Sequence, residues 1–323
     1  MQRSLQLARN GLMGAAPNPM VGAVIVHNGR IIGEGWHRRY GGPHAEVNAI
    51  RSVLPEDEHL LRESTIYVSL EPCSHWGKTP PCAELIVEKG LRRVVVGCMD
   101  PFAKVQGRGI QRLLEAGIEV VVGVLEQECL TLNERFITFH THQRPWVTLK
   151  WAESADGFID RLRDNADEGE AVHFSTPWTQ MLVHRLRATH QAILVGRRTW
   201  ELDHPSLTTR HWIGPSPKRY ILTSLEEKDL FPQAEHADVH LLRLSPYVPL
   251  HEALSSALHS LHAEDIQSLL VEGGRQTLQA FIDADIWDEA YIERSKILLH
   301  EGVQAPHFDK TDAKGRPVHV NFI

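Results

Sequence analysis

The sequence predicts two α/β domains that meet near residue 143. Three observations lead there. At 323 residues the chain is longer than a single hydrophobic core usually serves. Short β-branched and apolar runs alternate with stretches of helical period through both halves. The alternation breaks at Arg144-Pro145, after which a fresh strand pattern begins. The expected domains are 1–143 and 144–323.

The first half opens with a helical pattern from Gln2 to Gly14, in which Leu5, Ala8 and Leu12 share a face. Pro17-Asn18-Pro19 is a rigid turn. The strands Val21 to His27 and Ile31 to Trp36 flank Asn28-Gly29, a strong hairpin signal. Gly41-Gly42-Pro43 leads into a helix from His44 to about Leu54. The strand Thr65 to Leu70 delivers Glu71-Pro72-Cys73, and Pro80-Pro81-Cys82 opens a helix to Lys89. A strand Arg93 to Cys98, a helix Gly107 to Ala116, a strand Glu119 to Val124 and a helix from Glu126 to about His140 complete the domain. Such alternation implies three layers and a mostly parallel sheet after the hairpin.

In the second half, strands are expected at Trp146 to Trp151, Ala192 to Val195, Arg219 to Thr223, Asp238 to Leu244, Ser268 to Val271 and Glu289 to Glu293. Helices are expected at Thr176 to Ala188, Leu250 to Leu261 and Arg275 to about Ala284. Ser175 or Thr176 caps the first of these, with Pro177 in its first turn. Asp156-Gly157 signals a turn, Leu162 to Glu170 reads as a polar, exposed loop, and the tail after Gly302 is weakly patterned.

Composition narrows the function. Apolar residues make up 42% and charged residues 23%, ordinary for a soluble globular protein. A net charge of −7 gives no electrostatic reason to expect nucleic acid, so a phosphorylated substrate would need a local cluster of Arg or Lys. No apolar run approaches the ~20 residues of a membrane span, and the first residues do not read as a signal peptide. Cytoplasm is the expected compartment. Four cysteines in so long a chain do not make a disulfide framework, and Cys98 lies in an apolar run as a buried free thiol would.

The chemistry concentrates in His44-Ala45-Glu46 and in the stretch from Pro72-Cys73 to Cys82. One imidazole and two thiolates are enough to hold Zn²⁺ while leaving a position for water, whose pKa the metal lowers towards ~7. Glu46 need not ligate and is suited to carry a proton from the water to departing ammonia. H-x-E followed by P-C and a second Cys is the signature of zinc deaminases. A closed structural zinc site is the competing reading, with His75 as the nearby fourth ligand. Asn18 is placed either to bond a base edge or simply to make its turn.

Two glycine-containing turns follow strands in the second half, Val195-Gly196-Arg197 and Val271-Glu272-Gly273-Gly274. Each suits a cofactor phosphate at a helix start, but neither matches G-x-G-x-x-G. Arg185, Arg187 and Arg210 could meet a substrate phosphate, or belong to a solvated surface.

The whole chain resembles the bifunctional riboflavin-biosynthesis enzymes, a pyrimidine deaminase fused to a pyrimidine reductase. In the first half the similar segments are Pro17 to Gly22, Gly42 to Val47, Leu70 to Cys82, Asp100-Pro101 and Gly107-Arg108-Gly109. In the second they are Leu149-Lys150 with Ser154, Asp156 and Gly157; Ser175 to Pro177; His184 to Arg187; Thr199, Asp203, Pro205, Leu207 and Arg210; and Val271 to Gly274. The resemblance implies a cytidine-deaminase-like domain followed by a dihydrofolate-reductase-like domain that binds NADPH. It implies that Asn18, His75, Lys150, Arg187, Leu207, Arg210 and Glu272 face substrate, and that Ser154, His173, Thr199, Asp203, Ser224 and Gly274 face the cofactor. A phosphorylated pyrimidine substrate and a homo-oligomer, dimer or tetramer, are expected with it. Three positions depart from the family pattern: His173-Phe174-Ser175-Thr176 stands for Trp-Ile-Thr-Ser, His204 for a second Asp, and Glu153 for a small residue. The rival reading is a zinc deaminase of another nucleobase or nucleotide with a non-reducing binding module behind it.

Overall fold

Five strands make the sheet of the first half: β1 Gly22–His27, β2 Arg30–Trp36, β3 Thr65–Leu70, β4 Arg93–Cys98 and β5 Glu119–Val122, in the order β2-β1-β3-β4-β5. The computed structural model describes residues 1–74, 80–101, 107–163, 169–224, 238–307 and 315–323. It divides into two units, Met1–Gln143 and Arg144–Ile323. β1 pairs antiparallel with β2 and β3, whereas β3, β4 and β5 are parallel. The β1–β2 hairpin turns on Asn28 (φ 47°) and Gly29 (φ 79°), the two left-handed positions of a tight hairpin turn. β4 is buried along nearly its whole length, as a central parallel strand covered on both faces must be. Ile25, Ile66, Ile86, Leu91 and Leu113 fill the core around it.

Several first-half elements differ from expectation. The opening helix stops at Ala8 and continues as a short 3₁₀ turn, Arg9–Gly11. Leu12 therefore leaves the buried face and is exposed, because the face that packs is set by Ser4, Leu5, Leu7 and Ala8. The last helix is two, Glu126–Leu132 and Glu134–His142, divided at Asn133. Asn133 Oδ1 accepts the Met20 N–H at 2.8 Å and its Nδ2 donates to the Met20 carbonyl at 3.0 Å. That side chain satisfies both backbone groups of a loop residue just ahead of β1. A 3₁₀ stretch at Pro55–Glu63 carries no signal beyond its leading proline.

The second unit is built on seven strands: β6 Trp146–Glu153, β8 Ala192–Gly196, β9 Lys218–Thr223, β10 Val239–Arg243, β11 Ser268–Val271, β12 Glu289–Arg294 and β14 Val318–Phe322. Their order is β10-β9-β8-β11-β6-β12-β14, and every neighbouring pair is parallel. β7 Phe158–Asp160 and β13 Val303–Gln304 form a separate antiparallel ribbon. The helix Pro177–Ala188 is capped by Thr176, whose hydroxyl accepts the Thr179 N–H at 3.2 Å. β7, β13, β14 and the helix Arg197–Asp203 are additions to the sequence reading. Of the stretch Leu162 to Glu170, expected as an exposed loop, residues 164–168 lie outside the described residues. Leu162 is exposed, but Arg163 is buried, because its guanidinium bonds Asp160 and Asp203 together. Among the described residues, no helix is long and apolar enough to cross a membrane.

Candidate active sites of the two domains

Three element ends converge in the first unit. β3 runs out into Glu71-Pro72-Cys73, the helix Cys82–Glu88 begins at its own cysteine, and His44 is the N-cap of the helix Ala45–Arg51. His44 Nδ1 lies 3.5 Å from Cys73 Sγ and 3.4 Å from Cys82 Sγ. The three ligand atoms lie within 4.8 Å of one another, the one such group among the described residues. Bond lengths of ~2.0 Å to nitrogen and ~2.3 Å to sulfur at tetrahedral angles put N and S about 3.5 Å apart. Both nitrogen–sulfur distances of the triad therefore already match those of a zinc tetrahedron.

Charge in the triad is uneven. The Cys73 thiol is held down at about 4 by the Cys82 thiol and the His44 ring, whereas Cys82 is pushed well up by its bond to Cys73 and by burial. The His44 ring is raised to about 9, chiefly by Cys73. The Cys82 N–H donates to Cys73 Sγ at 3.3 Å, and the Ala83 N–H to the Cys73 carbonyl at 3.1 Å, locking the two cysteine segments together. The donor set, one imidazole nitrogen and two sulfurs, is the chemistry zinc prefers.

Glu46 sits in the first turn of the His44 helix and is 3% exposed. Burial, then the charge of Cys73, raises its carboxyl to about 7, where it can both take and give a proton near neutral pH. Asn18 Nδ2 lies 3.1 Å from His37 Nε2, while His37 Nδ1 lies 3.1 Å from the Pro43 carbonyl. The carbonyl can only accept, so Nδ1 carries the proton and Nε2 accepts from Asn18. The His37 ring meets the His44 ring edge-on at 5.4 Å. Asn18 is thus tied to the loop that carries the metal-binding histidine. His75 lies outside the described residues.

The residue just ahead of Pro72-Cys73 escaped the sequence reading. Glu71 is buried, and its carboxylate accepts four backbone N–H groups: Gly107 at 2.9 Å, Gly109 at 3.0 Å, Asp100 at 3.3 Å and Ile110 at 3.4 Å. It caps the start of the helix Arg108–Glu115 while its own backbone leads to Cys73. Gly109 is required there, since a Cβ would fall 1.9 Å from the Pro72 carbonyl oxygen.

In the second unit the expected substrate residues cluster. Arg187 pairs with Glu272 through two bonds, Nε to Oε1 at 3.0 Å and Nη2 to Oε2 at 2.6 Å, and gives a third to the Thr208 carbonyl at 3.2 Å. Arg187 holds the buried Glu272 carboxyl below the usual range despite the opposing effect of burial. Arg210 donates to Ser206 Oγ and, at 3.0 Å, to Thr208 Oγ1. Leu207, with φ 52°, is buried against Trp200, Val195 and Leu270 and anchors this loop. Lys150 lies 3.7 Å from Glu293, to which Ser175 also donates. Glu293 was not singled out from sequence, and Ser175 was read there only as a helix cap and as part of a family-like segment.

The expected cofactor residues fall into two sets. Thr199 Oγ1 accepts the Gly274 N–H at 2.9 Å, joining the first turn of the helix after β8 to the turn after β11. A Cβ on Gly273 would fall 2.5 Å from the Gly196 nitrogen, so the two backbones touch. Gly274 then caps the helix Arg275–Asp283, a bare-backbone approach that suits a dinucleotide phosphate. Ser154, in contrast, is turned into its own hairpin, donating to Asp156 and accepting the Phe158 N–H. Asp203 is held by Arg163, and His173 and Ser224 are exposed, Ser224 one residue past the end of β9. The unusual Glu153 is buried and satisfied, accepting from Trp151 Nε1 at 2.9 Å and Arg294 Nε at 2.7 Å. His204 takes a left-handed C-cap conformation, φ 38°.

Residues 1–98 match the family model of the cytidine and deoxycytidylate deaminase zinc-binding region, and residues 145–299 match that of the RibD C-terminal domain. The riboflavin biosynthesis protein RibD of Aquifex aeolicus is 34% identical over 94% of this chain and 88% of its own length. That of Bacillus amyloliquefaciens is 36% identical over 95% and 86%. The chain belongs to the RibD family. A crystal structure from Thermotoga maritima, described as a diaminohydroxyphosphoribosylaminopyrimidine deaminase/5-amino-6-(5-phosphoribosylamino)uracil reductase, aligns with a TM-score of 0.82 at 37% identity, covering 97% of this chain and 91% of that one. As a RibD-family protein the chain is a bifunctional enzyme of riboflavin biosynthesis, deaminase and reductase, using zinc and NADPH. Its first sheet is the cytidine-deaminase-like fold and its second the dihydrofolate-reductase-like RibD fold.

Proposed function

We propose that the unit 1–143 hydrolytically deaminates 2,5-diamino-6-(5-phosphoribosylamino)pyrimidin-4(3H)-one and that the unit 144–323 reduces the ribosyl chain of the deaminated product to ribityl with NADPH. The observation that carries this is the His44–Cys73–Cys82 triad with the buried Glu46 carboxyl beside it. These three residues would hold a zinc ion, which would supply an activated water to the ring carbon that bears the exocyclic amine. Glu46 is placed to take a proton at its carboxylate and give it to that nitrogen, so that ammonia leaves as a carbon–oxygen bond replaces the carbon–nitrogen bond. Asn18, fixed by His37, and His75 orient the pyrimidine.

In the second unit the ring-opened ribosylamine, an imine at C1′ of the sugar, would take a hydride from NADPH at that carbon and a proton at nitrogen, so the protein's contribution is orientation. Arg187, steered by Glu272, and Arg210 meet the phosphorylated substrate together with Leu207 and Lys150. Ser154, His173, Thr199, Asp203, Ser224 and Gly274 line the cofactor. In this reading the protein works in the cytoplasm as a dimer or tetramer on a small molecule.

The test is Glu46→Gln in the full chain. Zinc content should be kept and deamination should fall by about two to four orders of magnitude, the usual loss for a general acid/base. NADPH oxidation with 5-amino-6-(5-phosphoribosylamino)uracil should persist. Undiminished deaminase turnover would remove Glu46 from the chemistry. If neither NADPH nor NADH binds, the second unit is a non-reducing module.

A further inference from the structure

The loop that carries Leu207 and Arg210 is tied to the helix Pro177–Ala188 at two points one helical turn apart. The first is Arg187 Nη1 donating to the Thr208 carbonyl at 3.2 Å. The second is the Arg210 backbone N–H donating to His184 Nδ1 at 2.9 Å. His184 is 5% exposed and its ring stands edge-on to His211, with centroids 4.7 Å apart. Further along, the Thr209 N–H and hydroxyl are spent within the same loop, on Ser216 Oγ and the Pro215 carbonyl, both at 3.0 Å. The backbone at Arg210 is therefore the point where helix and loop are joined by an imidazole.

We propose that His184 is a positioning residue of the reductase site: its neutral Nδ1 fixes the Arg210 backbone so that the exposed guanidinium is held where the substrate's phosphate arrives. This rests on the reading of Arg210 as a phosphate ligand. A backbone N–H can only donate, so Nδ1 must keep its lone pair and the ring proton must sit on Nε2. The groups facing the ring favour that form. Burial, and then Arg187, His211 and Arg210, outweigh the opposing Glu272 and depress the imidazole to about 4. A charged ring would set donor against donor and free the Arg210 backbone. The same cations that would repel a protonated His184 are the ones that attract a phosphate, so the ring stays a constant acceptor throughout the working range.

Asparagine can present an oxygen close to the Nδ1 position, glutamine only at the distal position, and phenylalanine keeps the ring without an acceptor. Steady-state reduction of 5-amino-6-(5-phosphoribosylamino)uracil by the full-length protein separates them. His184→Phe and His184→Gln should raise KM for this substrate about tenfold, the upper range for one lost hydrogen bond, with kcat within about twofold and NADPH affinity unchanged. His184→Asn should restore the wild-type KM. With the substrate lacking its 5′-phosphate, all four proteins should behave alike. If Arg210→Ala raises KM but His184→Gln does not, the positioning role is overturned while the phosphate reading stands. If Arg210→Ala leaves KM unchanged, the phosphate reading fails and the inference with it. Should His184→Phe fail to fold, the Asn and Gln pair decides the question, and equal KM values for the two would refute it.

Discussion

Replacing Glu71 by Gln tests how the fold holds Cys73 in place. The native carboxylate spreads four N–H groups over two oxygens: Gly109 and Ile110 on Oε1, Asp100 and Gly107 on Oε2. An amide of the same shape keeps one oxygen and turns an NH₂ towards two backbone donors. Those two N–H groups lose their acceptor in a buried place, at about 1–2 kcal/mol each, and the charge facing the start of the helix Arg108–Glu115 is lost at about 0.5 kcal/mol. The total, about 3 kcal/mol, should lower the first unit's melting point by about 10 °C. Calorimetry of the zinc-loaded full chain reads the transition, and elemental analysis reads zinc, which should be lost more easily because Glu71 leads directly into Cys73. Glu84→Gln is the control: its ion pair with Arg112 is exposed and should contribute little. A shift below about 2 °C in Glu71→Gln, or one matched by Glu84→Gln, would refute the argument that burial decides the magnitude.

Three further outcomes are expected. Cys82→Ser should lose zinc and destabilise the first unit together, because metal-binding free energy is part of folding free energy; full occupancy by elemental analysis would overturn the ligand assignment. Gly273→Ala should weaken NADPH binding in titration and cost the second unit about 1–3 kcal/mol, since the new Cβ meets the Gly196 backbone and not a yielding side chain; unchanged affinity and stability would contradict the close approach. For pH, the folded His184 sits at about 4, below its ordinary 6.5, so the unfolded chain takes up the proton first. Its contribution is fully present above pH 6.5 and is lost as pH falls towards 4, by at most about 3 kcal/mol. Urea midpoints of the second unit should therefore fall more steeply between pH 7 and 4.5 in wild type than in His184→Asn, and parallel slopes would remove His184 as the cause.

The metal triad was legible because zinc chemistry constrains residue type and order together, so His44, Cys73 and Cys82 announce themselves before any fold is known. The main strands were legible because their apolar runs are short and bounded by turn residues. What sequence could not give is where polar side chains find their partners. Nothing local distinguishes Asn133, which divides a helix to hold Met20, from a helical surface asparagine. Glu71 looked like the end of a strand, and its four N–H partners come from residues far along the chain. Arg163 lies in a run of charges that reads as solvated, yet it is buried because Asp160 and Asp203 both reach it. β14 was invisible for a different reason: an edge strand with one half-buried face carries too short a pattern to separate from coil.

The strand order of the second unit bears on how the protein is made. β6 is the first of its strands to leave the ribosome and is mostly buried, and it belongs in the middle of the sheet, between β11 and β12. Trp146 finds its Glu289 partner 143 positions later in the chain. While the first unit can close its own sheet and collapse during synthesis, β6 has to wait, unpaired, until about two-thirds of its domain has been translated and β11 appears. Such long-range parallel pairing is slow and leaves sticky edges open in the meantime. The half that emerges last is thus the half that depends most on chaperones, and yield at high expression temperature should fail there first.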